Sequence, residues 1–193
     1  IQDGVATVRR VLGSMVSQPE AGPGSLTGWE GAAAAAYFDA YRHVFAPSLG
    51  FQGRNRRPPR DPVNACLSLG YTLLHHLTVA ALLSHGLDPF VGFYHEVAHG
   101  RESLACDLVE PLRPRLDFWV WRLFQERRLR PEHFKRHGSG CLMGKAGRRV
   151  FYEAFEETQP VWARRQRRAA LALARQLREM EPKTEGADEA AVS

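Results

Sequence analysis

"DPVNACLSLGYTLLHHLTVAALLSHG", Asp61 to Gly86, is the stretch that decides the fold class. Asp61 is an N-cap acid followed by proline at the first helical position, and Gly86 is a natural terminator. The segment between them is apolar on most faces, which predicts a helix of roughly 35 Å serving as the central core element. Leu and His within it are packing residues by default, and His75 and His76 are given no chemistry. Its most apolar part, Leu67 to Leu83, is interrupted by Ser68, His75 and His76, and no positive-plus-apolar leader opens the chain. Neither a membrane span nor a signal peptide is expected.

Outward from this helix, period-two alternation is scarce and apolar residues recur at helical spacing. An all-α fold follows: one multi-helix domain around the central helix. Val5, Val8, Val11, Leu12 and Met15 mark a first amphipathic helix, and "SQPEAGPGSLTG", Ser17 to Gly28, reads as a connector. A second helix is expected from about Trp29 to Phe45, with Glu30 in its first turn, where the helix dipole favours a carboxylate even without a function. Its alanine run, Ala32 to Ala36, would let another backbone approach closely. After Ser103 the helical pattern resumes, with Pro111 and Pro114 ending or kinking it before a helix through Trp119, Trp121 and Phe124. Both tryptophans are read as core. "HGSGCLMGKAG", His137 to Gly147, reads as a loop or tight hairpin. It is no phosphate loop, since Ser139 stands in place of the first glycine and Ala146 in place of the magnesium-binding hydroxyl residue. A last helix is expected from about Pro160 to Met180. The organisation is a connecting helix over residues 1–20, a helical domain over 21–180 and a flexible tail over 181–193.

At 193 residues the chain can bury one proper core, and 44% hydrophobic with 24% charged residues excludes disorder over most of its length. Cys66, Cys106 and Cys141 are odd in number and lack C-x-x-C pairing, so a disulfide scaffold is excluded and a reducing cytoplasm fits. The net charge of +5 is compatible with a polyanionic partner without requiring one. Basic runs at Arg54, Arg56, Arg57 and Arg60, and at Arg164, Arg165, Arg167 and Arg168, are either solvated surface or phosphate contacts.

The chemistry concentrates in "GFYHEVAHGRESLACDLVE", Gly92 to Glu110. His95-Glu96-Val97-Ala98-His99 spells H-E-x-x-H, in which two histidines one helical turn apart hold zinc beside a general-base glutamate. That reading needs a helix, but glycines flank the pattern at Gly92 and Gly100. It also needs a third ligand, and Glu102 and Ala105 stand where one continuation of the motif requires glycine and histidine. The rival set is His95, Asp107 and Glu110, with Glu30 as a fourth member if the second helix packs nearby. Carboxylates suit hard divalent ions, and one imidazole shifts the preference toward manganese or another nitrogen-tolerant ion. Spacing alone leaves Asp107 and Glu110 equally readable as a solvated helix face.

Four motifs in one order and spacing, "GWEGAAAAAYF", "RPPRDPVNACLSLGYTLL", "GLDPFVGFYHE" and "GRESLACDLVEPLRP", resemble the CRISPR adaptation integrase family, the universal endonuclease and integrase subunit of spacer acquisition. The likeness covers about Trp29 to Pro114, with a looser match beyond. It implies that Glu30, His95, Asp107 and Glu110 hold Mg2+ or Mn2+ and form the catalytic set, and that His99 sits at a variable position. Cys106 departs from the family's usual aliphatic residue. The resemblance further implies a homodimer, a small companion subunit, and double-stranded DNA with 3′-hydroxyl ends that are joined to the CRISPR repeat by transesterification. Family members carry an amino-terminal β-rich domain that this sequence lacks, so the chain reads as the catalytic lobe of a larger protein. What lies upstream, including a fused polymerase or nuclease, is left undetermined. On this footing Arg54, Arg56, Arg57, Arg101, Arg164, Arg165, Arg167 and Arg168 are candidate DNA contacts, although Arg101 could instead anchor a carboxylate. A non-catalytic helical DNA-binding module and a related transposon integrase are the alternatives.

Overall fold

The computed structural model describes residues 2–18 and 22–180. Its elements are α1 (Gln2–Ser17), α2 (Pro23–Arg42), α3 (Pro62–Leu83), α4 (Ser103–Val109), α5 (Arg113–Gln125), β1 (Phe134–His137), β2 (Gly140–Met143) and α6 (Lys145–Met180). Three short 3₁₀ turns, Pro47–Leu49, Glu110–Leu112 and Pro131–His133, complete them. The fold is mainly α with one two-stranded hairpin, in register Phe134 to Met143 and His137 to Gly140. The chain divides into two compact units, Ile1–Gly70 with Arg115–Ala154, and Tyr71–Pro114 with Phe155–Ser193.

In the first unit α1 lies on α2 at close range, because a Cβ built on Gly4 would stand 2.8 Å from Ala40 Cβ and 2.9 Å from Ala36 O. The small residues on α2 thus permit the close approach their run suggested. Beneath them, Tyr41, Phe45 and Phe51 pack edge to face. Asp117 of α5 is buried among them and anchors α2 twice: Tyr37 Oη donates to its carboxylate at 2.9 Å, and Tyr41 Oη to its carbonyl at 2.6 Å. Burial first, then the Asp117 charge and its hydrogen bond, push the Tyr37 phenol well above its ordinary value. Trp119 packs edge-on against Phe151, and Trp121 Nε1 donates to Val44 O at 3.3 Å, both as structural residues.

The start of α3 is as the sequence predicts: Asp61 caps it, accepting the N–H of Asn64 at 2.8 Å. Val63, Cys66, Leu67, Leu74 and Leu82 of this helix are wholly buried. By length and apolarity α3 is the one helix among the described residues that could cross a membrane, yet its buried residues make it a core helix. Gly86 has φ +73°, the left-handed turn that ends the segment. In the second unit Leu82, Leu104, Ala105 and Ala170 form the core, and buried Gln166 of α6 ties it together by donating to Thr78 Oγ1 at 2.7 Å and Leu108 O at 3.1 Å.

Two helix boundaries correct the sequence reading. α2 begins at Pro23, not Trp29, because extended Gly22 precedes a proline at the first helical position. Glu30 therefore sits in its third turn, beyond the dipole's favourable reach. α6 begins at Lys145, not Pro160, and carries Pro160 inside it. Its buried spacing, Phe151, Ala154, Phe155 and Trp162, runs through the proline, so packing outweighs the one lost backbone hydrogen bond. All three cysteines are free thiols, and burial raises those of Cys66 and Cys141. The expected tail over 181–193, and residues 19–21 of the expected connector, lie outside the described residues.

Candidate metal centre

The segment between α3 and α4 is not helical, so His95 and His99 do not share a helix face. The H-E-x-x-H reading fails on this geometry. Asp88 Oδ1 accepts the N–H of Phe90 at 2.9 Å, turning the chain. The carbonyl of Pro89 then accepts from Leu104 at 2.9 Å and Ala105 at 3.3 Å, satisfying amides that the α4 N-terminus leaves open. A Cβ at Gly92 would stand 2.7 Å from both His95 O and Ser103 Cβ, so only glycine fits there. Ser103 Oγ donates to Glu96 O at 2.9 Å, and Glu102 meets His75 Nε2 at 2.6 Å.

Asp107 gathers this loop. Its Oδ2 accepts the amides of Phe93 (2.8 Å) and Tyr94 (3.1 Å), and its Oδ1 accepts the amide of His95 (3.0 Å) and meets its Nδ1 at 2.5 Å. The side chain is only 1% exposed. Burial alone would raise the Asp107 carboxyl, but the hydrogen bonds from His95, Tyr94 and Phe93 outweigh it and hold the group below the ordinary carboxylate value. An ionised carboxylate only accepts, so Nδ1 of His95 carries a proton, and Nε2 is the ring nitrogen turned away from Asp107. This is the carboxylate–histidine arrangement that orients an imidazole toward an ion.

His95 Nε2 faces Glu110 Oε1 at 4.0 Å. Two ligand atoms bound about 2.1 Å from one hard ion stand between about 3.0 Å apart at right angles and about 4.2 Å apart when opposite. The spacing lies inside this range, nearer the opposed arrangement. The same Glu110 Oε1 pairs with Arg113 Nη1 at 2.7 Å. Among the described residues no three His, Cys, Asp or Glu side chains form a group able to hold an ion. Both Asp107 oxygens accept from the loop, an arrangement in which the carboxylate can orient His95.

Of the other predicted residues, Glu30 lies exposed on α2 in the first unit. Arg54 is half-buried, donating to Asn55 O, to Asn64 Oδ1 at 2.9 Å and to Ser68 Oγ at 3.2 Å, which makes it a brace for the start of α3. Arg56, Arg57 and Arg101 are exposed. Arg164, Arg165 and Arg168 of α6, with Leu112 and Val161, line an open groove of about 500 Å³, and Arg167 is exposed on the same helix. Sequence reasoning missed the His75–Glu102 pair and the Arg113 contact. Arg113 was findable from its i+3 spacing to Glu110, whereas no local pattern joins residues 75 and 102.

The family model for "CRISPR associated protein Cas1" matches residues 4–157. A CRISPR-associated endonuclease Cas1 of Thermodesulfovibrio yellowstonii is 44% identical over 81% of this chain and 50% of its own length. A Cas4 exonuclease/Cas1 endonuclease fusion of Rhodospirillum rubrum is 44% identical over 68% of this chain and 24% of its own. The chain thus spans half or less of the length of these relatives. Among solved structures, a casposase bound to integration product aligns with a TM-score of 0.75 and 28% identity, over 89% of this chain and 54% of that one. The family match covers α2, α3 and the loop that carries His95, and the chain belongs to the Cas1 family.

Proposed function

We propose that this domain is the catalytic lobe of a metal-dependent DNA integrase acting in spacer acquisition, with His95 and Glu110 as ligands, Glu30 as a further ligand by family correspondence, and Asp107 holding His95 in place. What most supports the reading is the 4.0 Å approach of His95 Nε2 to Glu110 Oε1 on a loop pinned by Asp107. These residues would hold Mg2+ or Mn2+, which would supply Lewis acidity toward a phosphoryl oxygen. The reaction is transesterification: a terminal 3′-hydroxyl attacks a phosphodiester, a new P–O bond forms, and the deoxyribose 3′-oxygen leaves with a proton. His95 presents its unprotonated nitrogen, Arg113 keeps Glu110 turned inward, and the α6 arginines neutralise flanking phosphates.

The partners proposed are short duplex DNA with 3′-hydroxyl ends and the CRISPR repeat, a second copy of the chain, and a small companion subunit. Support comes from the casposase captured with its integration product, and from a solved assembly described as a Cas6-RT-Cas1–Cas2 complex. The first of these also favours a second reading, a transposon integrase with the same ligands, separable only by substrate preference. The test supplies the full-length protein, its companion and a 3′-hydroxyl duplex with Mn2+ or Mg2+. Joining is expected with wild type and with His99→Ala, and is lost with His95→Ala. Joining that survives His95→Ala, or that collapses with His99→Ala, overturns the assignment. Undiminished DNA binding without any joining would leave only a DNA-binding module.

A further inference from the structure

Between Gly86 and Glu102 the chain displays Phe90, Val91, Phe93, Tyr94 and Val97 to solvent, and Phe93 is 73% exposed. Scattered exposed apolar side chains need no explanation, but five within eight residues do. The backbone beneath them is not loose. The amides of Phe93 and Tyr94 are fixed on buried Asp107, and Gly92 is locked against Ser103. Tyr94 is further held edge-on against the His95 ring, with centroids 5.3 Å apart. A loop built this tightly fixes the Phe93 backbone and leaves most of the ring in water.

We propose that Phe93 is a stacking platform for a nucleobase of the DNA strand whose phosphodiester lies at His95, an inference that rests on the proposed function. Phe93 is two residues from His95, so their Cα atoms are at most about 7.6 Å apart. Stacked bases follow one another at roughly 3.4 Å and those of an unstacked strand lie further apart, so this distance is on the scale of a neighbouring nucleotide. A phosphodiester within reach of His95 Nε2 and Glu110 has a flanking base at this range, and most of the Phe93 ring is open to receive it. A phenyl face takes any base, so the contact serves an enzyme that must hold many sequences, and it favours an unpaired base whose face is open. Exposed Arg101, at the far end of the same loop, supplies the positive charge that a strand passing here requires.

The experiment measures the Kd of the full-length protein for a 3′-ended DNA that is intact or abasic at the nucleotide next to the reacting phosphodiester. Phe93→Ala is expected to weaken binding to intact DNA by about 5- to 150-fold. The abasic site should weaken the wild type similarly, and the two changes together should do no more than either alone. Phe93→Trp should restore affinity and Phe93→Leu should not, since leucine keeps apolar area without a ring face. Leu142→Ala, which truncates an exposed apolar side chain on the hairpin, serves as the control and should change nothing. Additive effects, rescue by leucine, or a shift in oligomeric state with unchanged Kd would overturn the proposal and assign the patch to a protein contact. Wild type that binds and joins DNA without regard to the abasic site overturns the inference alone. Wild type that does not bind DNA overturns the proposed function, and the inference falls with it.

Discussion

Asp107→Asn separates tethering of the loop from ligation of an ion. Asparagine keeps the shape but only one acceptor oxygen. If that oxygen takes the place of Oδ1, serving His95, the amide group is left facing the N–H groups of Phe93 and Tyr94, so donors meet donors. A hydrogen bond to a charged acceptor contributes about 1.5–3 kcal/mol, so losing two amounts to roughly 3–6 kcal/mol. Both residues have exposed side chains, and water reaching their amides after the loop relaxes favours the lower end, about 3 kcal/mol. For a chain of this size that lowers Tm by about 6–12 °C. Glu110→Gln is the counterpart: the Glu110 and Arg113 side chains are 28% and 30% exposed, and such a pair contributes only about 0–1 kcal/mol. Thermal denaturation by circular dichroism without metal, paired with calorimetric Mn2+ titration, should give a crossed pattern. Asp107→Asn loses stability and weakens metal binding about 10- to 100-fold through His95, while Glu110→Gln loses metal binding with its melting nearly unchanged. A metal-free Asp107→Asn protein melting within about 1 °C of wild type would refute the tethering argument.

Pro160→Ala should stabilise the protein by about 1–3 kcal/mol, since it restores an amide to the interior of α6 at an exposed position; a lower denaturation midpoint would show that the proline is needed for packing. Tyr37 predicts an alkaline limit. Its phenol is raised in the fold, so its contribution is complete below the unfolded value of about 10 and is lost as pH rises beyond it. Chemical denaturation of wild type above pH 10 should therefore fall more steeply with pH than that of Tyr37→Phe, and parallel slopes would contradict the burial argument. If the groove arginines touch phosphates, Arg164→Ala and Arg168→Ala should each lower the slope of log Kd against log salt by about 1; unchanged slopes would return them to solvated surface.

The parts of the fold legible in the sequence were those with local chemical punctuation. Asp61-Pro62 and Gly86 bracket α3, and Pro111 and Pro114 mark the tightening between α4 and α5. The same punctuation misled where its position in the helix was misjudged. Pro23 opens α2 instead of belonging to a connector, and Pro160 sits inside α6 because the buried stripe on either side is strong enough to carry it. That His95 would lie beside Asp107 and Glu110 was legible, and the hydrogen bonds that gather the loop were not. Three amides from residues 93 to 95 converge on Asp107, and no spacing rule in the sequence foretells a loop folding back onto the next helix. Arg54 shows the same limit, since its basic run says nothing of Asn64 and Ser68 waiting to take its guanidinium.

Pulsed electron paramagnetic resonance of Mn2+ bound to the full-length protein tests the centre most directly. A nitrogen coupling from one imidazole is expected, lost in His95→Gln and retained in His99→Ala. A coupling that persists without His95, or that disappears only without His99, would contradict the assignment of His95 Nε2 as the nitrogen that holds the ion.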